Sequence, residues 1–294
     1  MEDVGTGTRD AVRLDSLRPG DHVGWIVDSA EEYDRLSRWC LADGARCGDK
    51  LFVLGARTDD VCAAHLPEHL TLPHPRHDAF DAFDAFDAEA MGRVFARETA
   101  AACHEGYRGV RVLADMEWLL DHPPTPPLET LVDFEVRLGR LVAEVGAIMV
   151  CAYRTRRFDP LTVAQVMCVH GLELGADRPD RGFRMWSSGN DVWEVHGEVD
   201  LSNAAAFRAA LDTALAHSGA PARERTGARV ATVRLRLSGL RFIDVTGMRT
   251  LALAAQSHRP GVRLVVQAAP RKFRRWWELL GYDQDGSCGV EIQP

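Results

Sequence analysis

Residues 235–251 impose the tightest constraint on what this chain can fold into. Val233, Leu235 and Leu237 alternate with polar residues, the period of a strand, and the alternation ends in a predicted turn at Ser238 and Gly239. The apolar pair Phe242 and Ile243 then leads into Asp244, Val245, Thr246 and Gly247. Met248, Leu251, Leu253, Ala254 and Ala255 follow in a helical pattern. The stretch therefore predicts a buried strand, a turn and a helix. Asp244 is placed to cap that helix, because its side chain can accept from the free N–H groups of the first turn. A helix start of this kind is exposed, dipolar and firmly seated, which suits it to dock a partner or carry a phosphate.

The neighbouring segments extend the pattern. Residues 192–203 read as a strand running into Gly197, Glu198, Val199 and Asp200, with a helix starting near Asn203. Residues 262–266 read as a further strand, and residues 271–281 as a final amphipathic helix. This ordered set resembles STAS domains, the fold of anti-anti-sigma factors and their relatives, over residues 183–294. The resemblance implies a C-terminal STAS α/β domain whose partner contacts run through Asp200, Asp244, Val245, Thr246, Gly247 and Met248. It implies an anti-sigma factor with a kinase-type ATP-binding fold as partner, whose capture frees a sigma factor. Apolar contact is expected from Val245 and Met248, rimmed by polar groups. Phosphorylated members of the family accept phosphate on a hydroxyl directly after the Asp. Here that residue is Val245, so the usual Ser switch is not expected. Thr246 is a candidate phosphoacceptor, although it reads first as a second capping group. Either the domain is constitutively competent or its switch lies elsewhere in the chain.

The 294 residues suffice for two domains, and a composition of 46% hydrophobic and 27% charged residues is that of a globular protein. No apolar run is long enough to span a membrane, and the N-terminus lacks the pattern of a secretory signal. The seven cysteines contain no Cys-x-x-Cys pair, which points to reduced thiols and a cytoplasmic location. Residues 182–294 carry 15 Lys+Arg against 11 Asp+Glu, a net of +4, and the remainder carries 20 against 32, a net of −12. The acidic half is a poor partner for nucleic acid. The basic cluster Arg271, Lys272, Arg274 and Arg275 beside Trp276 and Trp277 reads as a solvated helix face with one Trp turned inward.

Residues 1–16 read as a flexible tail. Strands are predicted at 23–27, 48–55, 110–114 and 147–153. Helices are predicted at 31–41 with Gly44 as the stop, at 59–66, at 88–104, at 128–145 and at 160–170. Leu131, Phe134, Leu138, Leu141 and Val145 share one face of the fourth helix. Prolines and three Asp-Ala-Phe repeats make residues 67–88 an irregular surface segment. Strands alternating with helices imply a mostly parallel sheet covered on both faces, with ligands expected at the carboxyl ends of its strands.

Residues 20–33, with Asp21, His22 and an acidic helix start, are similar to the opening of MEDS sensory domains. Residues 44–54, residues 112–118 and the trio Cys151, Ala152 and Tyr153 support the likeness, which spans residues 17–175. Gly24 stands where that family often has Cys, Val27 where it often has Tyr, and His170-Gly171 where His-Pro is common. The resemblance implies a RecA/KaiC-like α/β sheet that senses a small organic molecule. The chain has no P-loop, so no ATP hydrolysis is expected. Residues 176–182 are the expected linker.

The candidate ligand-binding residues of this sensory domain are His22, Trp25, Asp115, Met116, Glu117, Trp118 and Tyr153. His22 reads equally as a ligand-bonding or titrating group and as a loop tie. His65, His69, His74 and His77 are too loosely spaced and proline-broken for a metal site, and neither metal nor cofactor is expected. Cys40 and Cys47 read as buried thiols rather than a redox pair. No Gly-x-Ser-x-Gly elbow or nucleophile–base set emerges, so an enzyme is not expected. The function this reading predicts is a signalling regulator in which the sensory domain controls a STAS domain that binds an anti-sigma factor. An enzyme with STAS as adaptor, or a STAS scaffold in a stress complex, is the alternative. Whether the chain forms a homodimer is open.

Overall fold

The computed structural model describes residues 11–12, 17–55, 88–121, 128–174, 182–189, 191–216, 222–223, 229–257, 261–282 and 289–293. The predicted helix at 59–66, the Asp-Ala-Phe repeats, the four clustered histidines and nearly all of the expected linker lie outside the described residues.

The N-terminal unit is a six-stranded sheet whose described pairings are all parallel. Its strands are β1 (Ala11–Val12), β2 (His22–Val27), β3 (Asp49–Leu54), β4 (Gly109–Asp115), β5 (Ile148–Arg154) and β6 (Leu172–Leu174), in the order β1-β6-β2-β5-β4-β3. The helices are α1 (Ala30–Cys47), α2 (Ala88–His104), α3 (Leu128–Val145) and α4 (Pro160–Met167). The chain steps outward from β2 to the edge strand β3, then back through β4 and β5 and past β2 to β6. Because parallel crossovers are right-handed, that reversal puts α1 on one face of the sheet and α2, α3 and α4 on the other.

Ser29 caps α1 by accepting from Glu32 N at 3.1 Å. The helix does not stop at Gly44 as expected. It runs to Cys47 and ends at Gly48, whose φ of 79° favours glycine. Gly44 lies inside the helix because it packs tightly: a Cβ there would meet Leu51 Cδ2 at 2.6 Å. Two other expectations need correction. The stretch read as a tail contains β1, which pairs with β6, and residues beyond Met167 form no helix but lead into β6.

The C-terminal unit has strands β7 (Phe183–Gly189), β8 (Val192–Val199), β9 (Ala222–Arg223), β10 (Arg229–Ile243), β11 (Val262–Gln267) and β12 (Val290–Ile292). Its helices are α5 (Ala204–Ala216), α6 (Val245–Ser257) and α7 (Arg271–Leu279). The main sheet runs β12-β11-β10-β8-β7, with β7 antiparallel to β8 and the other pairs parallel. The turn expected at Ser238 and Gly239 is a register irregularity within one long β10. Gly239 fits there because the His196 ring would lie 2.3 Å from any added Cβ.

The two units share one continuous apolar core. Helix α3 is its centre, packed against α2 and α4 on one side and α5 and β7 on the other. Its residues Leu131, Val132, Phe134, Val136, Leu138 and Val142 are all buried, while Arg137, Arg140 and Glu144 form a partly exposed polar face. Across the junction, Thr213 Oγ1 donates to Asp133 Oδ1 at 2.8 Å and Met185 N donates to Cys168 O at 2.8 Å. Arg184 bonds Glu173 at 2.9 Å.

At the amino ends of β3 and β4, the buried Arg111 bonds both Asp43 and Asp49 at 2.9 Å and the Cys40 carbonyl at 3.2 Å. Replacing Arg111 with Met leaves two carboxylates buried with less compensation, an expected loss of about 3 kcal/mol in unfolding free energy. A shift in the urea midpoint corresponding to under about 1 kcal/mol would contradict this reading of the network.

Candidate functional site

Three groups of residues bear on function. The first is buried between the sheet and α3. His22 opens β2, Glu135 comes from the middle of α3, Cys151 and Tyr153 from β5, and His170 from the segment between α4 and β6. His22 Nε2 stands 3.3 Å from Cys151 Sγ and 3.1 Å from Glu135 Oε2. His170 Nε2 stands 3.3 Å from the same Glu135 oxygen. The Tyr153 hydroxyl donates to the other carboxylate oxygen, Oε1. His170 Nδ1 bonds the Val166 carbonyl at 2.9 Å, and the His22 and His170 rings lie 4.3 Å apart.

Missing side chains make this cluster fit. A Cβ at Gly139 would lie 2.7 Å from His22 Nδ1, and one at Gly24 would lie 3.0 Å from His170 Cγ. Burial, and then the neighbouring His170, hold the His22 imidazole down at about 4, against the pull of Glu135. Burial acts to raise the Glu135 carboxyl, but the imidazoles of His170 and His22 outweigh it and hold it far below the ordinary range. Burial first, and the Glu135 charge second, push the Cys151 thiol and the Tyr153 hydroxyl well up. In this state the group holds one carboxylate, a neutral thiol and a neutral phenol.

The second group lies at the carboxyl ends of β4 and β5. Arg154 bonds Asp115 at 2.7 Å, reaches Glu117 at 3.4 Å and covers the Tyr33 ring at 4.2 Å. Trp25 stacks on Tyr33 from β2.

The third group is on the C-terminal unit, where β8 and β10 run side by side with Val199 opposite Ile243. Asp200 and Asp244 therefore leave the sheet together. Asp244 Oδ1 accepts from Gly247 N at 2.8 Å, so Asp244 is the cap of α6 as expected. Gly247 is required by packing, since a Cβ would strike Val199 and Ile243 at 2.7 Å. Asp200 Oδ1 accepts from Ser202 N at 2.8 Å, and Asn203 Oδ1 accepts from Asp200 N at 3.0 Å. Val245 is 55% exposed and Leu201 76% exposed, two apolar side chains at the ends of adjacent strands.

Residues 21–171 match the model of the MEthanogen/methylotroph, DcmR Sensory (MEDS) domain. The chain belongs to the MEDS family. Residues 185–292 of this MEDS protein match the Mlab, STAS domain model, so the second unit is a STAS domain. The crystal structure of an anti-sigma factor antagonist from Mycobacterium paratuberculosis is similar, at 21% identity over 40% of this chain and 91% of that one, with a TM-score of 0.31. No curated protein matches the chain. Among the described residues, no helix is long and apolar enough to cross a membrane.

The residues singled out in the MEDS domain do not form one site. His22 and Tyr153 meet in the buried cluster, whereas Trp25 lies on the opposite face of the sheet with Tyr33. Asp115 and Glu117 pair with Arg154. Met116 belongs to the core, and Trp118 packs edge-on to Phe134. In the STAS domain, Met248 is 1% exposed and cannot supply the outward apolar contact expected of it. It reaches only the floor of a groove of about 440 Å³ beside α7.

Sequence reasoning missed Glu135 altogether. Its signal was present: Glu135 falls between Leu131, Leu138 and Val142 at helical spacing, an acid within a buried stripe. Cys151 and His170 entered only through the family likeness.

Changing Asp244 to Ala removes a helix cap and is expected to lower unfolding free energy by about 1 kcal/mol, whereas Val245→Ala should change it by less than about 0.5 kcal/mol. Thermal unfolding of the two variants checks the contrast; equal losses would mean that Val245 is a packing residue.

Proposed function

We propose that this protein is a signalling regulator in which the MEDS domain, by sensing a small molecule, controls capture of an anti-sigma factor by the STAS domain. The partner is of the kinase-type ATP-binding fold, and its capture releases a sigma factor. The observation that carries this reading is the exposed Val245 directly after the capping Asp244, with Leu201 exposed at the end of the adjacent strand. Exposed apolar side chains on a rigid strand-to-helix corner are the material of an interface centre, and Asp200, Asp244 and Thr246 provide its polar rim.

Thr246 does not share the cap, and its side chain is half-buried in the first turn of α6. Val245 presents a methyl surface where phosphorylated STAS relatives present a hydroxyl. A phosphate there brings negative charge beside Asp244 and a desolvation cost, so its omission leaves the surface permanently competent. Control then falls to the MEDS domain, which packs directly on α5 and β7 of the STAS domain. A cavity of about 460 Å³ opens at this junction, lined by Asp21, His22 and Gly139 on one side and Trp186, Ser187 and His196 on the other. Junctions of this kind favour small-molecule binding, and His22 joins the cavity to the buried cluster.

Affinity capture from a native lysate with the intact chain, and Val245→Asp as control, tests the reading. The intact chain is expected to retain a kinase-like anti-sigma factor, and Val245→Asp to weaken its binding by about 2 kcal/mol or more. If both baits retain the same proteins with equal affinity, the surface is not the interface.

A further inference from the structure

We propose that His22, Glu135, Cys151 and His170 form a binding site for a divalent cation of the zinc class, held inside the MEDS domain core. One donor atom from each, namely two imidazole nitrogens, a carboxylate oxygen and a sulfur, lies within 4.8 Å of all the others, and all four residues are buried. Zinc takes N, O and S donors at about 2.0–2.3 Å in a tetrahedron, which puts neighbouring donors about 3.3–3.7 Å apart. Three edges of this group are 3.3 Å from His22 Nε2 to Cys151 Sγ, 3.1 Å from His22 Nε2 to Glu135 Oε2, and 3.3 Å from His170 Nε2 to Glu135 Oε2.

Alignment separates a metal cage from a hydrogen-bonded network. Glu135 Oε2 has two imidazole nitrogens within 3.3 Å, yet it is aligned for a hydrogen bond with neither. His170 Nε2 is likewise buried without a hydrogen-bond partner. Of the four donors, His22 Nε2 and Cys151 Sγ bond each other, whereas Glu135 Oε2 and His170 Nε2 are left without a hydrogen bond. Buried polar atoms left so are costly, and a cation held among the four donors satisfies both at once.

The surrounding groups set the donors as ligands. His170 Nδ1 lies 2.9 Å from the Val166 carbonyl, which can only accept, so Nδ1 carries a proton and Nε2 is the nitrogen left to coordinate. Tyr153 donates to Glu135 Oε1, leaving Oε2 as the coordinating oxygen. Gly139 and Gly24 give both rings their room. On binding, the Cys151 thiol releases its proton to solvent and a sulfur–metal bond forms in its place. The ion's two positive charges are then balanced by the Glu135 carboxylate and the Cys151 thiolate, so no net charge is left in the core. The mixed donor set with one thiolate favours zinc over magnesium or calcium, which take oxygen ligands. The junction cavity reaches His22 and supplies an entry path.

The ligands join β2, α3, β5 and the segment before β6, and two of these elements bear on the STAS domain. α3 contacts it through Asp133, and the His170 segment through Cys168 O and Met185 N. Occupancy of the site therefore sets the seat on which the STAS domain rests. The site stands independently of which protein the STAS domain captures.

The test is cobalt substitution in the full-length protein. Metal content after purification without chelator is measured first, and the chelator-stripped chain is then titrated with Co²⁺ and followed by absorption. A single equivalent of zinc per chain is expected, and cobalt should give the intense bands of a tetrahedral centre with a thiolate-to-metal charge-transfer band. Cys151→Ser should abolish that band and weaken binding at least about tenfold, while Tyr153→Phe keeps the band with weaker binding. Circular dichroism reports whether each variant folds, and the unsubstituted chain decides the matter if Cys151→Ser does not. The proposal is overturned if the folded chain neither retains zinc nor develops the band. It is also overturned if folded Cys151→Ser keeps band and affinity, because the ion then sits on other cysteines.

Discussion

The carboxylate of Glu135 is the group on which the MEDS domain is arranged. It is wholly buried on the inner face of its helix, and it stays ionised because two imidazoles face it and the Tyr153 hydroxyl bonds it. An unpaired charge at that depth is expensive, so every element that reaches it is constrained in position. β2 must bring His22 to α3, β5 must present Cys151 and Tyr153 on the same face, and the chain after α4 must turn His170 back over Gly24. The same helix meets the STAS domain on its other side, so the polar centre and the domain junction are mechanically one structure.

The architecture was legible in the sequence wherever hydrophobic period and capping chemistry agree. Two of the three longest described helices, Ala88–His104 and Leu128–Val145, have the bounds that their apolar spacing predicts, and Asp244 caps α6 as its position before an apolar run requires. Failures occurred where tertiary contact overrides a local signal. Gly44 looked like a helix stop but is a packing glycine under Leu51 and Arg111. Gly239 looked like a turn but accommodates the His196 ring inside β10. The short strands β6 and β12, three residues each, have too little sequence for a period to register.

The buried site was only half legible, for a topological reason. Its donors come from positions 22, 135, 151 and 170, and no spacing rule connects residues brought together by parallel crossovers. The sequence points to His22 and Tyr153 but groups them with Trp25 and Asp115. Alternation along β2 instead sends Trp25 to the α1 face and His22 to the α3 face. On the STAS surface, the exposed Val245 could be read directly from its place after Asp244, while the burial of Met248 depended on how α6 lies on the sheet.

Control of the STAS domain by the MEDS domain requires the Glu135 cluster to be coupled to the STAS domain through α3. Hydrogen–deuterium exchange of the full-length protein, comparing the unsubstituted chain with Glu135→Gln, tests it most directly. The coupling account requires faster exchange in α3 to be accompanied by faster exchange in β7 and α5, across the Asp133–Thr213 contact. Faster exchange confined to residues before 175, with the STAS domain unchanged, would contradict it.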